Sequence, residues 1–255
     1  MRADIYLFQN EHVKSRQKAK SLILSHNVKI DGRVIDKPSI EIDESIEHTV
    51  EIFNDCPYVS RGGLKLEAII KYANLDINEK TCIDIGASSG GFTDCLLKNS
   101  ACKVFAIDSG TNQLDPSLKN DSRVISYENL NARYLEKSLF KTLVDIITID
   151  VSFVSQTLIM PSALSLLTDN GLYISLIKPQ FEAGRENVGK GGIVKEKKAR
   201  LLAVMRVIEC AEQYSFNCTH FIKSPILGGD GNIEYLAVFS KNGRTISKEK
   251  IKEFI

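Results

Sequence analysis

Four ionisable side chains in this sequence stand where apolar runs begin or end. Asp150 and Lys178 each close an apolar run, Glu234 opens one after a glycine-rich loop, and Lys65 opens the first helical pattern beyond residue 60. Each of them alone is best explained as a surface charge. If all four converged at one edge of a sheet, two lysines and two carboxylates would suit the deprotonation of an alcohol. A lysine that is kept from water or lies near another cation can act as a base.

A second set of candidate residues lies in a turn that follows the apolar run at 81–85. The turn consists of Gly86, Ala87, Ser88, Ser89, Gly90 and Gly91, and a helical pattern follows it. A strand, a small-residue turn and a helix form the opening unit of a doubly wound sheet, which binds ligands at the carboxyl ends of its strands. Glycine lets the backbone approach such a ligand closely. Asp84 precedes the turn, and Asp108 closes the next apolar run.

The residues of this turn restrict the choice of ligand. They lack the Gly-Lys-Ser/Thr ending of a phosphate loop and the G-x-G-x-x-G spacing of a dinucleotide site. We infer S-adenosylmethionine, because its cationic methionine end suits Asp84 and its ribose suits Asp108. Its methyl group is already activated on a sulfonium, so the protein mainly has to align the reacting atoms, which is worth roughly 7–11 kcal/mol. The alternative is an ordinary α/β turn with two solvated aspartates.

Strand and helix patterns alternate along most of the chain and would position these candidates. We predict strands at 82–85, 103–108, 144–150 and 172–178, a strand and turn at 123–135, a terminal antiparallel pair at 221–229 and 234–241, and the clearest helix at 194–214. Such alternation indicates a mainly parallel sheet between helical layers. The predicted fold class is α/β, a Rossmann-like S-adenosylmethionine-dependent methyltransferase sheet flanked by helices.

Residues 1–58 differ from the rest and predict a small N-terminal α+β domain, which a linker at about 54–60 joins to a larger domain of residues 59–255. A short helix begins near Arg2, and a second helix follows Ser15, a good N-cap residue. Apolar and polar residues then alternate around the turn Asp31-Gly32, which is a hairpin signal.

The charge of this N-terminal region is unevenly distributed. Seven lysines and arginines and only two acidic residues lie between His12 and Pro38, whereas residues 39–55 carry six acidic residues and no basic one. A basic helix and a basic hairpin are typical of a surface that binds a phosphate backbone. The candidate RNA-binding residues are Arg2, Lys14, Arg16, Lys18, Lys20, Lys29, Arg33 and Arg61. The alternative is a solvated helix face that the acidic segment balances.

Composition excludes several classes of protein. The net charge of the 255 residues is +1, so a nucleic-acid site must be a local patch. The N-terminus has no apolar signal region, and no apolar run is long enough to span a membrane. The six cysteines have no C-x-x-C spacing, which favours reduced thiols in a cytoplasmic protein without disulfides or a metal site.

Both parts of the chain resemble known families. Arg2, Asp4, Ser15-Arg16, Gly32 and Lys37-Pro38 match the αL-type (ribosomal protein S4-like) RNA-binding domain, with His26-Asn27 where that pattern usually has a glycine. The whole chain resembles the TlyA family, whose members are named haemolysins but are implicated as ribosomal RNA 2′-O-methyltransferases. The matching stretches are VSRGGLKLEA, DIGASSGGFTDCLL, AIDSGTNQL, ENLNAR, DVSFVS, LIKPQFEAGRENVGKGGIV and SPILGGDGNIEYL, in this order from residue 59 to residue 236.

The resemblance implies a role for each candidate residue. Lys65, Asp150, Lys178 and Glu234 would form a catalytic tetrad in an FtsJ-like domain, with Lys178 acting on the 2′-hydroxyl. The S-adenosylmethionine pocket would fall on Asp84, Gly86, Ser88, Gly90, Gly91, Asp108 and Asn131. The substrate would be a cytidine in the RNA of the large ribosomal subunit, or of both subunits. A chain that is compact at both ends resembles the shorter, large-subunit form. No stable protein partner is predicted.

Three other classes of function fit the sequence less well. A non-catalytic ribosome-binding module would not need the tetrad, so Lys178→Ala would leave its phenotype intact. A membrane-lytic toxin would need a signal, an inserting amphipathic stretch or a pore-forming β pattern, and the sequence offers none of these. A Rossmann dehydrogenase is disfavoured because the dinucleotide fingerprint is missing.

Overall fold

The computed structural model describes residues 1–13, 15–24, 27–53, 56–228 and 231–255, and, of Ser21, the backbone only. The chain divides into two compact units, Met1–Pro57 and Tyr58–Ile255. Each unit has its own buried apolar core.

The N-terminal unit packs two helices against a small antiparallel sheet. Its elements are α1 (Ala3–Gln9), α2 (Arg16–Leu24), β1 (Val28–Ile30), β2 (Arg33–Val34) and β3 (Val50–Ile52). The described strands have the order β2-β1-β3. Ala19, Leu22 and Ile23, which share one face of α2 at helical spacing, are buried in the core of this unit.

Local sequence signals explain most of this unit. The hydroxyl of Ser15 accepts a hydrogen bond from the backbone N–H of Lys18 (3.1 Å), which confirms the predicted N-cap. The hairpin is also confirmed: Asp31 and Gly32 both have positive φ, as a two-residue turn between twisted strands requires. Strand β3 was not predicted. It pairs with β1 through Val28 and Ile52, across a long connection that no turn motif marks.

The larger unit is built around a mixed sheet. Its strands are β4 (Thr81–Ile85), β5 (Lys103–Ile107), β6 (Val124–Tyr127), β7 (Val144–Ile149), β8 (Leu167–Ile177), β9 (Asn217–Lys223) and β10 (Tyr235–Ser240). Its helices are α3 (Gly62–Ala73), α4 (Gly91–Lys98), α5 (Pro116–Lys119), α6 (Met160–Leu164), α7 (Pro179–Glu182), α8 (Lys197–Glu212) and α9 (Lys248–Phe254). The strand order over the described residues is β6-β5-β4-β7-β8-β10-β9.

Five neighbouring strands of this sheet, β6-β5-β4-β7-β8, are parallel, and β10 is antiparallel to both β8 and β9. The mainly parallel sheet and the terminal antiparallel pair are therefore confirmed. The chain proceeds from β4 outward to β6 and then returns to β7 on the other side of β4. This reversal between β4 and β7 is a topological switch point, where open α/β sheets bind their ligands.

In the larger unit, differences from the predicted elements concern boundaries and short helices. Strand β8 begins at Leu167, five residues before the predicted start at Leu172. The helices α5, α6 and α7 have four or five residues each, too few to leave a periodic pattern. No helix in the described ranges is long and apolar enough to cross a membrane.

Candidate active site

The four candidate catalytic residues form two short ion pairs. Lys178 Nζ lies 2.6 Å from Asp150 Oδ1, and Lys65 Nζ donates to Glu234 Oε2 at 2.6 Å. All four side chains are largely withdrawn from water, with exposed fractions of 13% and 21% in the first pair and 11% and 3% in the second. Lys178 Nζ also donates to the hydroxyl of Ser152 at 2.9 Å.

Sheet topology explains why residues so distant in sequence come together. Asp150 and Lys178 directly follow the parallel neighbours β7 and β8, so both lie at the carboxyl edge of the sheet. Strand β10 runs antiparallel to β8 with Tyr235 opposite Ile177, so Glu234 precedes β10 at the same edge. Helix α3 supplies Lys65, whose ammonium group donates to Glu234 at this edge.

The small-residue turn after β4 lies against the backbone of the tetrad aspartate. Gly86 has a φ of +81°, and a Cβ at this position would stand 2.5 Å from the carbonyl oxygen of Asp150. The backbone N–H of Asp150 donates to Ile85 O at 2.9 Å, across the switch point between β4 and β7. Only glycine combines this conformation with such a close approach. The turn and the loop after β7 therefore form one edge of the site.

Glycine also allows the starts of two helices to meet. A Cβ on Gly91, the first residue of α4, would stand 2.2 Å from Ser60 Oγ and 3.0 Å from the backbone nitrogen of Gly63. The exposed Arg61 stands at the N-cap of α3, beside this contact, with no side-chain capping bond. Close packing explains Gly63, where a Cβ would stand 2.2 Å from Tyr58 Cγ, whereas a Cβ on Gly62 would make only ordinary contacts. The exposed guanidinium of Arg61 is available to an anion.

Asp84 is fully buried, with its carboxylate in contact with two hydroxyls. Thr93 Oγ1 donates to Asp84 Oδ2 at 2.8 Å, and Thr148 Oγ1 donates to Oδ1 at 2.9 Å. Burial raises the pKa of Asp84 to about 6, and the negative charge of Asp150 also raises it, whereas the hydroxyl donors lower it. Its position links β4, α4 and β7, and its carboxylate does not line an open surface.

Asp108 connects the small-residue turn to the end of β5. Its carboxylate accepts hydrogen bonds from the backbone N–H of Ser88 (2.8 Å) and of Gly110 (2.7 Å). It lines a shallow recess with Ala87, Ser88, Ala106, Gly110, Gln113, Leu114, Ser126 and Glu128. Asn131 is not among these lining residues. Its side chain caps a single turn of 3-10 helix by accepting from the N–H of Arg133 at 3.1 Å.

Three candidate residues were not predicted from the sequence: Gln113 and Glu128, which line the recess, and the exposed Phe153, which lies beside the half-buried Phe181. Phe153, three residues after Asp150, is 93% exposed and has a positive φ of 64°. Its ring lies 5.4 Å from that of Phe181, which is three residues after Lys178. A bulky residue in this backbone conformation, exposed beside a polar site, is an outlier that deserves a functional explanation. The equal spacing of the two phenylalanines from the tetrad was the only signal in the sequence.

In the N-terminal unit, two of the predicted RNA-binding residues share one buried carboxylate. Asp4 is fully buried and accepts hydrogen bonds from Arg2 Nε at 2.9 Å and from Arg16 Nε at 2.7 Å. The arginine side chains are 40% and 47% exposed. Burial opposes the charge of Asp4, but hydrogen bonds from Arg2 and Arg16 outweigh it and hold the pKa below its usual value. Asp4 thus orients two exposed cations.

The other predicted RNA-binding residues have varied surroundings. Lys20 and Arg33 are exposed, Lys18 is half-buried, and Lys29 Nζ lies 4.7 Å from the centre of the Phe53 ring. Lys14 lies outside the described residues. Within the described ranges, no group of three or more His, Cys, Asp or Glu side chains could hold a metal ion.

Comparison with known proteins assigns both units. Residues 58–241 match the FtsJ-like methyltransferase family, and residues 1–45 match the S4 domain. A hemolysin-named protein of Streptococcus thermophilus has a solved structure that superposes with a TM-score of 0.80 at 40% identity, covering 100% of this chain and 94% of the other. The larger unit is thus an FtsJ-like methyltransferase domain.

Two relatives extend over nearly the whole chain. YqxC of Bacillus subtilis, named there as a candidate rRNA methyltransferase, is 43% identical over 92% of this chain and 84% of its own length. The 16S/23S rRNA (cytidine-2′-O)-methyltransferase TlyA of Mycobacterium tuberculosis is 33% identical over 100% of this chain and 95% of its own. The chain belongs to the TlyA family, which confirms the resemblance seen in the sequence.

Proposed function

We propose that this protein methylates the ribose 2′-hydroxyl of a cytidine in ribosomal RNA, with S-adenosylmethionine as the methyl donor. The observation that carries the proposal is the pair of withdrawn ion pairs, Lys178–Asp150 and Lys65–Glu234, at the ligand-binding edge of a methyltransferase sheet. The name of the Mycobacterium tuberculosis relative supplies the nucleoside and the RNA. An enzyme with this substrate would work in the cytoplasm.

The recess beside Asp108 fits the adenosyl part of the methyl donor. Its lining includes the small side chains of Ala87 and Ala106, and Asp108, Glu128 and Gln113 offer polar groups to ribose hydroxyls and an adenine edge. Gly86, Gly90, Gly91 and Ser88 form the adjoining turn, and Asp84, which precedes it, accepts hydrogen bonds from Thr93 of α4 and Thr148 of β7. Once bound there, S-adenosylmethionine supplies a methyl group on a positively charged sulfur. Asn131, which caps the nearby 3-10 turn, would contact the donor at the rim.

Lys178 would take the proton from the 2′-hydroxyl. The ammonium group of Lys178 has three N–H donors. Two of them are directed at Asp150 and Ser152, with Nζ at 2.6 and 2.9 Å from the acceptor oxygens, and the third remains for the substrate oxygen. Asp150 would first accept one ammonium proton. The neutral amine, with its lone pair turned to the substrate, would then take the hydroxyl proton as the methyl group passes from sulfur to the ribose oxygen and the carbon–sulfur bond breaks. Apart from its contact with Lys178 Nζ, Asp150 Oδ1 accepts no hydrogen bond from the described residues, so it can take a proton.

Lys65 and Glu234 would set the charge around this step. Their ion pair is even more buried than that of Lys178, and the carboxylate balances the second ammonium at the same edge. A fixed pair of opposite charges costs no reorganisation when the substrate oxygen becomes more negative. We assign Lys65 and Glu234 to orientation and charge balance rather than to proton transfer.

RNA would be held by aromatic and basic groups. Base stacking on an aromatic ring contributes about 1–3 kcal/mol per base, and Phe153, supported by Phe181, offers such a ring three residues from Asp150. The N-terminal unit would contact the phosphate backbone through Arg2, Arg16, Lys18, Lys20, Lys29 and Arg33, and Arg61 and Lys14 complete the predicted set. Such contacts add affinity without reading sequence.

The test is transfer of label from tritiated S-adenosylmethionine to isolated small subunits, isolated large subunits and joined ribosomes. We expect label in the RNA of the large subunit, alone or with the small one, and its loss in Lys178→Ala. Lys241→Ala is the matched control, because Lys241 pairs with Asp169 at 3.0 Å after the far end of β10. Nuclease digestion of the labelled RNA identifies the methylated nucleoside.

Two results would contradict the proposal. Full transfer by Lys178→Ala would remove the tetrad mechanism. Absence of transfer to every substrate by a wild-type protein that binds S-adenosylmethionine and ribosomes would favour the non-catalytic ribosome-binding module instead.

A further inference from the structure

A buried carboxylate outside the tetrad joins the two loops that carry Asp150 and Lys178. Glu182 is only 3% exposed. One of its oxygens, Oε2, accepts a hydrogen bond from the hydroxyl of Ser155 at 2.5 Å. The other, Oε1, accepts a hydrogen bond from the backbone N–H of Gln156 at 2.8 Å. The carboxylate therefore makes both of these bonds to a single short segment of chain.

The positions of the bonded residues give the contact its meaning. Glu182 ends α7, which begins directly after Lys178. Ser155 and Gln156 end the loop that starts at Asp150. The bonds to Glu182 thus link the loop after β7 to the loop after β8, only a few residues from the Lys178–Asp150 ion pair on either side.

A second set of buried bonds fastens the same loop to β8 itself. The side-chain oxygen of Gln156 accepts a hydrogen bond from the hydroxyl of Ser175 at 2.6 Å, and the side-chain nitrogen of Gln156 donates to Leu176 O at 3.4 Å. Gln156 is 2% exposed and Ser175 is fully buried. The segment Ser155–Gln156 is therefore held on both sides by the strand and the helix that precede and follow Lys178.

Stability alone is a poor explanation for this carboxylate. Burying a carboxyl group costs free energy, and apolar packing of similar volume is often as stabilising as a buried charged group. Arg206 donates from Nη1 to the backbone carbonyl oxygen of Glu182, not to its side chain, at 3.2 Å. Burial raises the pKa of Glu182, against the effect of the bonds from Ser155 and Gln156. The described acceptor bonds of the side chain all go to the loop of Asp150.

We propose that Glu182 is a positioning residue for the methyl-transfer site: it fixes residues 150–156 so that Asp150 and Ser152 meet Lys178 Nζ. This inference rests on the proposed function. The arrangement around Lys178 Nζ tolerates little displacement, because its contacts with Asp150 and Ser152 are both shorter than 3 Å. A displacement of about 1 Å at a catalytic group can cost on the order of 100-fold in rate.

The test compares Glu182→Ala with Glu182→Gln. Glutamine keeps an oxygen for the N–H of Gln156, and its amide can donate to the oxygen of Ser155. We expect kcat for methyl transfer to fall at least about tenfold in Glu182→Ala, with KM for ribosomal subunits changed less than threefold, and to remain within about threefold of wild type in Glu182→Gln. Ser155→Ala, which removes one of the two bonds, should lie between them.

Asp145→Ala is the matched control. Like Glu182, Asp145 joins two elements: its Oδ2 accepts a hydrogen bond from the backbone N–H of Thr81 at 2.9 Å, between β7 and β4. Asp145 lies at the amino edge of the sheet, away from the candidate active site. The variant Asp145→Ala should lower Tm and leave kcat of the folded protein unchanged. Amide hydrogen exchange over residues 150–157 supplies a second readout, which should accelerate in Glu182→Ala, recover in Glu182→Gln and stay unchanged in Asp145→Ala.

The outcomes separate the two proposals. A folded Glu182→Ala with wild-type kcat, or a Glu182→Gln as impaired as Glu182→Ala, would overturn the positioning role. A wild-type protein without methyl transfer would overturn the proposed function alone, and hydrogen exchange would then decide whether Glu182 holds the loop.

Discussion

The candidate RNA-binding pairs of the N-terminal unit and the candidate catalytic pairs of the larger unit differ in the exposure of their cations. In the N-terminal unit, the carboxylate of Asp4 is fully buried, while its partners Arg2 and Arg16 are 40% and 47% exposed. In the larger unit, the cations are withdrawn as well: Lys178 is 13% exposed and Lys65 is 11% exposed. Both arrangements pair acids with bases, yet only the first leaves the positive charge in contact with water.

Exposure of the cation determines what such a pair can do. An exposed guanidinium that a buried carboxylate orients through Nε keeps its other N–H groups for a phosphate, and Arg offers donors in a fixed planar geometry. A withdrawn lysine meets only what enters the site, and there its charge acts at a lower effective dielectric. The first arrangement suits binding to a polyanion, and the second suits proton transfer. The following four predictions test this contrast.

The largest effect is expected at the withdrawn lysine. Lys178→Ala should lower kcat for methyl transfer by about 10²–10⁴-fold, the usual contribution of a general base, with little change in ribosome binding. Single-turnover transfer and filter binding measure the two quantities. Equal losses of rate and affinity would mean that Lys178 mainly binds RNA, which would remove the contrast between the units.

The next largest effect is expected at Asp84, a buried carboxylate whose described hydrogen bonds come from hydroxyl groups and not from a cation. The pKa of Asp84 is raised to about 6 in the folded protein. Ionised Asp84 therefore destabilises the fold above that pH, and this cost disappears as the pH falls toward the pKa of the same group in the unfolded chain. Asp84→Asn should therefore raise the free energy of unfolding by about 3 kcal/mol at pH 7.5 and by much less near pH 4.5.

Urea unfolding of Asp84→Asn and wild type at several pH values measures this difference. A variant that is less stable than wild type at pH 7.5 would mean that the hydroxyl bonds from Thr93 and Thr148 outweigh the cost of burial. S-adenosylmethionine affinity of the same variant would report whether support of the small-residue turn depends on the charge.

An intermediate effect is expected at the exposed aromatic ring. Phe153→Ala should weaken productive binding of the substrate by about 1–3 kcal/mol, and Phe153→Tyr should preserve it, because stacking needs the ring and not its exact edge. The ratio kcat/KM for large subunits measures the loss. Tyr134, which is 71% exposed, provides the control variant Tyr134→Ala. Equal effects of the two alanine variants would argue against a specific platform at Phe153.

The smallest effect is expected at the exposed arginines. Arg16→Ala should weaken ribosome binding by about tenfold or less and reduce the salt dependence of binding by roughly one counterion, while kcat at saturating substrate is unchanged. Titrations at several salt concentrations give this slope. Asp4→Asn should weaken binding through lost orientation of Arg2 and Arg16. A change in kcat at saturation would contradict the separation of binding from chemistry.

Much of the fold could be predicted because its signals are local. The hairpin at Asp31-Gly32 depends on two adjacent residues that tolerate positive φ, and the cap at Ser15 depends on one hydroxyl. Strands β4, β5 and β7 are buried on both faces and therefore appear as continuous apolar runs. Strand β3 could not be found in the same way, because three residues are too few to establish an alternating pattern and only pairing with β1 defines them.

The sequence by itself determined the residue types at the strand ends and the small residues of the turn after β4. The order of the strands, which no local pattern encodes, decided that Lys178 meets Asp150 and Lys65 meets Glu234. Tertiary structure alone also decided that Asp84 is fully buried, that Phe153 is exposed, and that Glu182 binds the loop of Asp150. The physical reason is that burial and pKa depend on which elements pack together, and those elements are distant in sequence.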